Sequence, residues 1–308
     1  MPVKPLDLPA EFQRRIRGAF GSAGTEWLAR LPMLISALCT ANGLTPLPYT
    51  HEQSYNYVTP VRLPDGSLAV LKAGVPRPEL LHEIEALRYY AGAGAVRLLV
   101  DWPEQGAFLL EQVQPGTPAA ELADDVHATR LAAGVMQALH TLRSQPPGDF
   151  PTTAEWGLGF QRLRARYHGG CGPLPESLVS AAEGIFHDLL ASCAPPVLLH
   201  GDLHHWNLLA SQRRGWLAID PQGVLGEPAY EVGAWLRNPY PALARWPDAR
   251  RKQARRIAIF AEILGWDAQR LWGWGFAQAV LSAAWSDEDG EADAETWLAI
   301  ARSLQPNN

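Results

Sequence analysis

The densest run of chemistry-bearing residues in this 308-residue chain is HGDLHHWNLL at 200–209, followed closely by AIDPQG at 218–223. Each comes directly after an apolar run typical of a buried strand, VLLH at 197–200 and WLAID at 216–220. Asp202 and Asn207 are five apart. That is the spacing of a phosphotransfer loop in which an aspartate accepts the proton of the attacking hydroxyl and an asparagine holds magnesium. Asp220 supplies the carboxylate such a metal still lacks. Magnesium prefers hard oxygen ligands and keeps waters and phosphate oxygens in its shell, so one carboxylate and one amide from the protein suffice. The bound ion offsets charge on the transferring group.

A phosphoryl donor such as ATP also needs a cation on its phosphates. Lys72 ends a strand pattern and precedes an amphipathic helix, which puts it where such a cation belongs. The acidic partner expected for it is Glu83, on the flank of the Leu80, Ile84, Leu87 stripe; Glu85 projects roughly 130 degrees away at about 100 degrees per residue. Taken singly, Asp202 and Asn207 are ordinary turn residues, Lys72 is a strand-end lysine and Glu83 a helix-surface residue. Only their combination points to phosphoryl transfer. His200 and His204 are spaced for zinc on one helix face, but they follow a strand, flank Gly201 and enclose no general-base glutamate. His200 is therefore read as a buried hydrogen-bonding strut, with Glu231 bracing the loop in a similar way.

The elements that must carry these residues can be read in outline. VRLPDGSLAVLK at 61–72 sets Asp65-Gly66 between two apolar stretches, a strong hairpin signal. After Pro76 and Pro78, residues 79–91 place Leu80, Ile84, Leu87 and Ala91 on one helical stripe. A second hairpin is expected from 96–102 and 107–113, ending at Pro115-Gly116. The first 114 residues thus read as sheet-rich. Beyond them helical patterns dominate, around Leu131, Val135, Leu139 and Leu142, then across 177–192, 247–264 and 266–285. The expected fold class is α+β: a small N-terminal β-sheet lobe over 1–114, with a helical N-terminal extension, and a larger mostly helical lobe over 115–308. Ligands commonly sit in clefts between such lobes.

With 47% apolar residues the chain can bury a sizeable core. A formal charge of -6 argues against a nucleic-acid partner. The basic run of Arg250, Arg251, Lys252, Arg255 and Arg256 is read as a solvated helix face. Cys39, Cys171 and Cys193 lack the spacing of a zinc site or disulfide framework, so a reducing cytoplasm is expected. The start, MPVKPLDLPAEF, has no signal-peptide core, and no window approaches about 18 consecutive apolar residues, so no membrane association is expected. No obligate protein partner is evident.

Several segments together resemble the aminoglycoside phosphotransferase superfamily, in particular its streptomycin 6-kinase and hydroxyurea phosphotransferase branch. They are PVRLPDGSLAVLK at 60–72, HEIEALRYYAGAGAVRLL at 82–99, LLEQVQPG at 109–116, LLHGDLHHWNLL at 198–209, AIDPQGVLGEPAYEVGAWLRNP at 218–239 and LSAAWSDEDG at 281–290. The resemblance implies a two-lobed protein-kinase-like fold, ATP as donor, Mg2+ as cofactor and a small-molecule acceptor. It gives Asp202 the catalytic role, Asn207 and Asp220 the metal, and Lys72 with Glu83 the phosphates. LLEQV matches the hinge, where the backbone of Glu111 and Val113 would bond adenine. HEQSYNYV at 51–58 matches the loop over the phosphates, but it contains no glycine, so Ser54 and its neighbours would act through backbone or hydroxyl groups. No long activation segment separates Asp220 from GEPAYE at 226–231, unlike a protein kinase.

The run Asp287, Glu288, Asp289, Glu291, Asp293 and Glu295 includes no basic residue. It reads either as a solvated helix start or as a wall of carboxylates which, beside Trp285, suits a cationic guanidinium-bearing acceptor. Because the family's acceptor site lies at this end of the helical lobe, the resemblance assigns Trp285, Glu288 and Asp289 to substrate. Trp216, Trp235 and Trp274 are read as core.

Overall fold

A computed structural model describes residues 8–48, 54–141 and 148–305. The chain divides into two compact units, Met1–Gly92 with Val96–Gln114, and Ala93–Ala95 with Pro115–Asn308.

The first unit begins with α1 (Ala10–Asn42), followed by strands β1 (Thr45–Pro46), β2 (Tyr57–Arg62) and β3 (Leu68–Ala73), helix α2 (Pro78–Tyr90), and strands β4 (Leu98–Trp102) and β5 (Ala107–Glu111). The strands form one antiparallel sheet in the order β1-β2-β3-β5-β4. The β2–β3 hairpin turns at Asp65-Gly66: Ser67 N–H donates to Asp65 Oδ1 at 2.9 Å, and Gly66 has φ 86°. Along β2 and β3, Tyr57, Val61, Ala69, Leu71 and Ala73 pack with Phe12, Ile16, Trp27, Leu31 and Ile35 of α1 in one core. Lys72 is one step out of that alternation and so belongs to the opposite face of the pleated sheet. Its register partners are Val58 and Phe108.

This unit is less sheet-rich than expected. α1 alone spans 33 residues, more than the five strands together, and it bends where Gly21 takes φ 54°. The α2 stripe buries Leu80, Ile84 and Leu87, but Ala91 is exposed, having left the helix as a left-handed C-cap with φ 46°.

The second unit holds β6 (Pro115–Pro118), α3 (Asp125–Leu139), α4 (Thr153–Arg166), α5 (Glu176–Ala191), β7 (Val197–Leu199), β8 (Leu208–Ser211), β9 (Gly215–Ala218), β10 (Val224–Gly226), α6 (Val232–Leu236), α7 (Ala249–Leu264), α8 (Ala268–Glu288) and α9 (Ala294–Ser303). The predicted helices at 177–192, 247–264 and 266–285 correspond to α5, α7 and α8. The last of the α3 stripe, Leu142, lies outside the described residues. α8 is the central helix: from Gly273 to Ala284 every residue is buried, which requires neighbours on all sides, and α5, α6, α7 and α9 supply them. Two small antiparallel sheets, β6-β8-β9 and β7-β10, lie among the helices. The chain is thus α+β, with a small antiparallel sheet and a mostly helical remainder.

Two local expectations change. Arg256 is not part of a solvated face: it is fully buried in α7, paired with Asp125 and donating to Asn238 O at 2.7 Å. Trp235 and Trp274 are fully buried as expected, whereas Trp216 is only half-buried. Among the described residues no helix is long and apolar enough to cross a membrane.

Candidate active site

In the sheet unit, Lys72 Nζ lies 2.6 Å from Glu83 Oε1, with the two side chains 4% and 9% exposed. The ammonium also sits 5.7 Å from the centre of the Phe108 ring. Helical phase explains why Glu83 makes this contact, since it follows the stripe that packs α2 onto the sheet. Glu85 pairs instead with Arg88 on the solvent side. A pair this buried adds little net stability, yet removing one partner strands the other charge. Ser54 is exposed at the edge of the described chain, and His51, Glu52 and Gln53 of the expected phosphate loop lie outside it. At the end of β5, Glu111 N–H donates to Arg97 O at 3.0 Å and its carboxylate accepts from Arg97 N–H at 2.9 Å. The Glu111 N–H is therefore already paired within the sheet unit.

In the helical unit, residues 200–207 leave β7 and return into β8 as a loop fastened from beneath. Glu231 is 1% exposed, and its carboxylate accepts from His200 N–H at 2.7 Å and Gly201 N–H at 2.9 Å. Burial alone would push its pKa up. The hydrogen bond and charge of His140 and the His200 backbone N–H outweigh burial and hold it below the ordinary glutamate range. His200 is fully buried: Nε2 lies 2.8 Å from Ile219 O, and Nδ1 accepts from Asp202 N–H at 3.3 Å. Those two bonds require the neutral ring with its proton on Nε2, and burial lowers its pKa accordingly. His200 is a strut that ties the Asp202 loop to the segment after β9 that carries Asp220, with neither nitrogen left for zinc.

Gly201 has φ 81°, and a Cβ there would stand 2.9 Å from Trp156 Cη2 and 3.0 Å from Val224 Cγ1. Only glycine meets both demands. Asn207 Nδ2 donates to Asp202 O at 3.0 Å, which turns the amide so that Oδ1 is the end it can offer to a cation. Ile219 N–H donates to Asn207 O at 2.9 Å and sets Asp220 beside this loop. Asp220 is half-buried with φ 59°, left-handed backbone in a residue other than glycine. Such a conformation costs about 1–3 kcal/mol and is characteristic of functional positions. An amide oxygen and a carboxylate brought together in this way are the donor set magnesium prefers, so the residues present fit that ion.

His205, the other buried histidine of the loop, stacks on Trp235 at 3.7 Å between ring centres and lies 3.3 Å from Arg256 Nη2. Burial, then the Arg256 and His204 charges, hold its pKa well below the usual value. Arg256 thereby links the loop to Asp125 at the start of α3.

A family model for aminoglycoside/hydroxyurea antibiotic resistance kinases matches residues 48–290. The chain belongs to that family. Streptomycin 6-kinase of Streptomyces glaucescens is 30% identical over 299 residues, covering 94% of each chain. Hydroxyurea phosphotransferase of Kitasatospora aureofaciens is 30% identical over 314 residues, covering 97% of this chain and 86% of its own. A crystal structure of choline kinase from Streptococcus pneumoniae shares the fold at a TM-score of 0.62 and 14% identity, over 89% of this chain and 99% of its own. The fold is therefore that of the kinase-like small-molecule phosphotransferases.

The acceptor-side residues assigned from the sequence have a more complex setting in this kinase. Trp285 makes an edge contact with Trp156, at 6.2 Å and 86°, and Trp156 abuts Gly201 next to Asp202. The acidic run is not a bare carboxylate wall. Arg162 grips Glu288 through Nε at 2.7 Å and Nη2 at 3.0 Å, lowering the glutamate's pKa. Tyr167 donates to Asp287, Ser286 and Tyr240 to Asp293, and Arg302 pairs with Glu295. Asp289 and Glu291 stay exposed. Sequence reasoning missed Trp156, although the Thr152/Glu155 capping box that starts α4 was visible as T-x-x-E. It also missed Arg237, whose Nη2 stands 3.5 Å from Asp202 Oδ1.

Proposed function

We propose that the chain transfers the γ-phosphoryl group of ATP to a hydroxyl of a small acceptor, with streptomycin the first acceptor and hydroxyurea the second. Support comes above all from the loop carrying Asp202 and Asn207, braced by Glu231 and His200 beside a strained Asp220. In this assignment 115–308 is the catalytic and acceptor-binding lobe, and Asp202 accepts the acceptor's hydroxyl proton as its oxygen bonds to the γ-phosphorus and ADP departs. Asn207 and Asp220 would hold Mg2+, which when bound neutralises charge on the phosphoryl oxygens. Lobe 1–114 supplies the nucleotide contacts: Lys72, oriented by Glu83, for the phosphates, Ser54 for the covering loop, and the Glu111 carbonyl with Val113 for adenine. Trp285, now joined by Trp156, offers aromatic edges to the acceptor, while Asp289 is a better candidate for a cation than the Arg162-bound Glu288. We assign the enzyme to the cytoplasm, where the free thiols of Cys39, Cys171 and Cys193 persist.

The test is magnesium-dependent ADP release from ATP with streptomycin, other aminoglycosides, hydroxyurea and simple amino alcohols, beside Asp202→Ala. Acceptor-dependent release that the substitution abolishes is expected. Equal release by both proteins would remove Asp202 from the chemistry.

A further inference from the structure

Asp202 does not stand alone. Arg237, the C-cap of α6, brings Nη2 to 3.5 Å from Asp202 Oδ1 and donates from Nη1 to Ser282 Oγ at 3.1 Å. Ser282 is a buried residue of α8 whose hydroxyl is itself fixed by donation to Gln278 O at 2.9 Å. The Arg237 side chain is 12% exposed against 32% for Asp202, and its Nε–H is buried with no hydrogen-bond partner among the described residues. Withdrawing a guanidinium from water while leaving a donor unpaired is unfavourable, and an apolar side chain of similar size would serve the fold better. The arginine therefore calls for an explanation other than stability. Its placement offers one: a rigid planar cation, anchored on the central helix, meets one oxygen of the carboxylate that has to face the acceptor hydroxyl in a fixed orientation.

We propose that Arg237 is a positioning residue, holding the Asp202 carboxylate in its working orientation with Ser282 as its anchor. The proposal rests on Asp202 being the base of the phosphoryl transfer described above. His204 Nε2, 3.5 Å from Asp202 Oδ2, stands at the other oxygen, so the carboxylate is bracketed from both ends.

The experiment compares wild type, R237Q, R237K and S282A by crystal structure, steady-state kinetics and denaturant midpoint. In wild type the Asp202 carboxylate should occupy one orientation against Arg237, and in R237Q it should swing by about 1 Å or split between orientations. A misplacement of that size costs about a hundredfold in kcat. KM for ATP should stay within threefold and the unfolding midpoint should not fall. R237K should recover part of the loss, because it keeps the charge without the fork. S282A should lose several-fold in kcat. An unchanged Asp202 orientation in R237Q overturns the proposal whatever the kinetics. So does a loss of kcat matched in R237Q and R237K alike by a falling midpoint, which would mark a structural residue. If R237Q does not fold, S282A decides by the same two criteria. If wild type phosphorylates no acceptor while Asp202 still loses its orientation in R237Q, the kinase assignment falls and the positioning contact stands.

Discussion

Glu231 should be the most consequential residue of the site that never touches substrate. Its carboxylate accepts the His200 and Gly201 backbone N–H groups, at 2.7 and 2.9 Å, inside a fully buried setting. A hydrogen bond to a charged group contributes about 1.5–3 kcal/mol, and leaving a buried donor unpaired costs about 1–3 kcal/mol. Glu231→Ala orphans both backbone donors and also removes the weaker His140 contact, so a loss of about 3–6 kcal/mol is expected from the backbone donors alone. Glu231→Gln keeps one acceptor oxygen and turns an NH2 toward the other donor, for a loss of about 1.5–3 kcal/mol. The assay is urea denaturation followed by tryptophan fluorescence, with hydrogen exchange read on peptides spanning 198–204. Exchange there should quicken in Glu231→Gln before global unfolding, and kcat should fall because the Asp202 loop has lost its lower fastening. A stability change under about 0.5 kcal/mol with unaltered exchange would refute the view that this carboxylate holds the loop.

Four further outcomes are expected. Lys72→Met and Glu83→Gln should each raise KM for ATP at least tenfold, and Glu85→Gln should leave it within twofold, because Glu83 pairs with the lysine whereas Glu85 pairs with Arg88; kinetics with varied ATP separate them. Arg256→Met leaves Asp125 without its cation and takes the Arg256 donor from the Asn238 carbonyl, so an unfolding titration should show a loss of about 3–5 kcal/mol. Arg162→Gln breaks a largely exposed pair worth under about 1 kcal/mol, and by releasing Glu288 it should lower KM for a cationic acceptor; an unchanged KM would remove Glu288 from the acceptor site. His200 and His205 are held neutral with lowered pKa values, so their contribution is complete above the unfolded-state histidine pKa near 6.5 and is lost as pH falls from there toward their folded values. Melting temperature should therefore drop between about pH 6.5 and 5, and less steeply in His205→Phe.

What could be read from the sequence was what is local. The five-residue interval from Asp202 to Asn207, the Asp65-Gly66 turn and the phase of Glu83 against Leu80, Ile84 and Leu87 each depend on one element's own geometry. What could not be read was pairing across the chain. Arg162 and Glu288 are 126 residues apart, and Arg256 and Asp125 are 131 apart. A window over 287–295 shows only acids and a window over 250–256 only bases, so the first looks bare and the second solvated. The first impression fails at Glu288 and the second at Arg256 for the same reason, that the compensating charge arrives from another helix, while Arg250, Arg251 and Arg255 are exposed as expected. Arg237 was hidden likewise, since nothing in AYEVGAWLRNP reveals that Ser282 and Asp202 lie at its tip.

The left-handed backbone at Asp220 also governs how substitutions there should be interpreted. Glycine accepts φ 59° without strain, and aspartate and asparagine at a smaller penalty than other side chains, which add further strain to whatever chemistry they remove. In a saturation library, then, the position will look uniformly intolerant, and that intolerance mixes two selections, one on the peptide torsion and one on the carboxylate. Asparagine separates them, because it keeps the torsion and removes only the charge. Glycine is its complement, keeping the torsion and removing the side chain. The difference between those two variants isolates what the side-chain oxygen contributes, and any further loss in alanine measures the backbone alone.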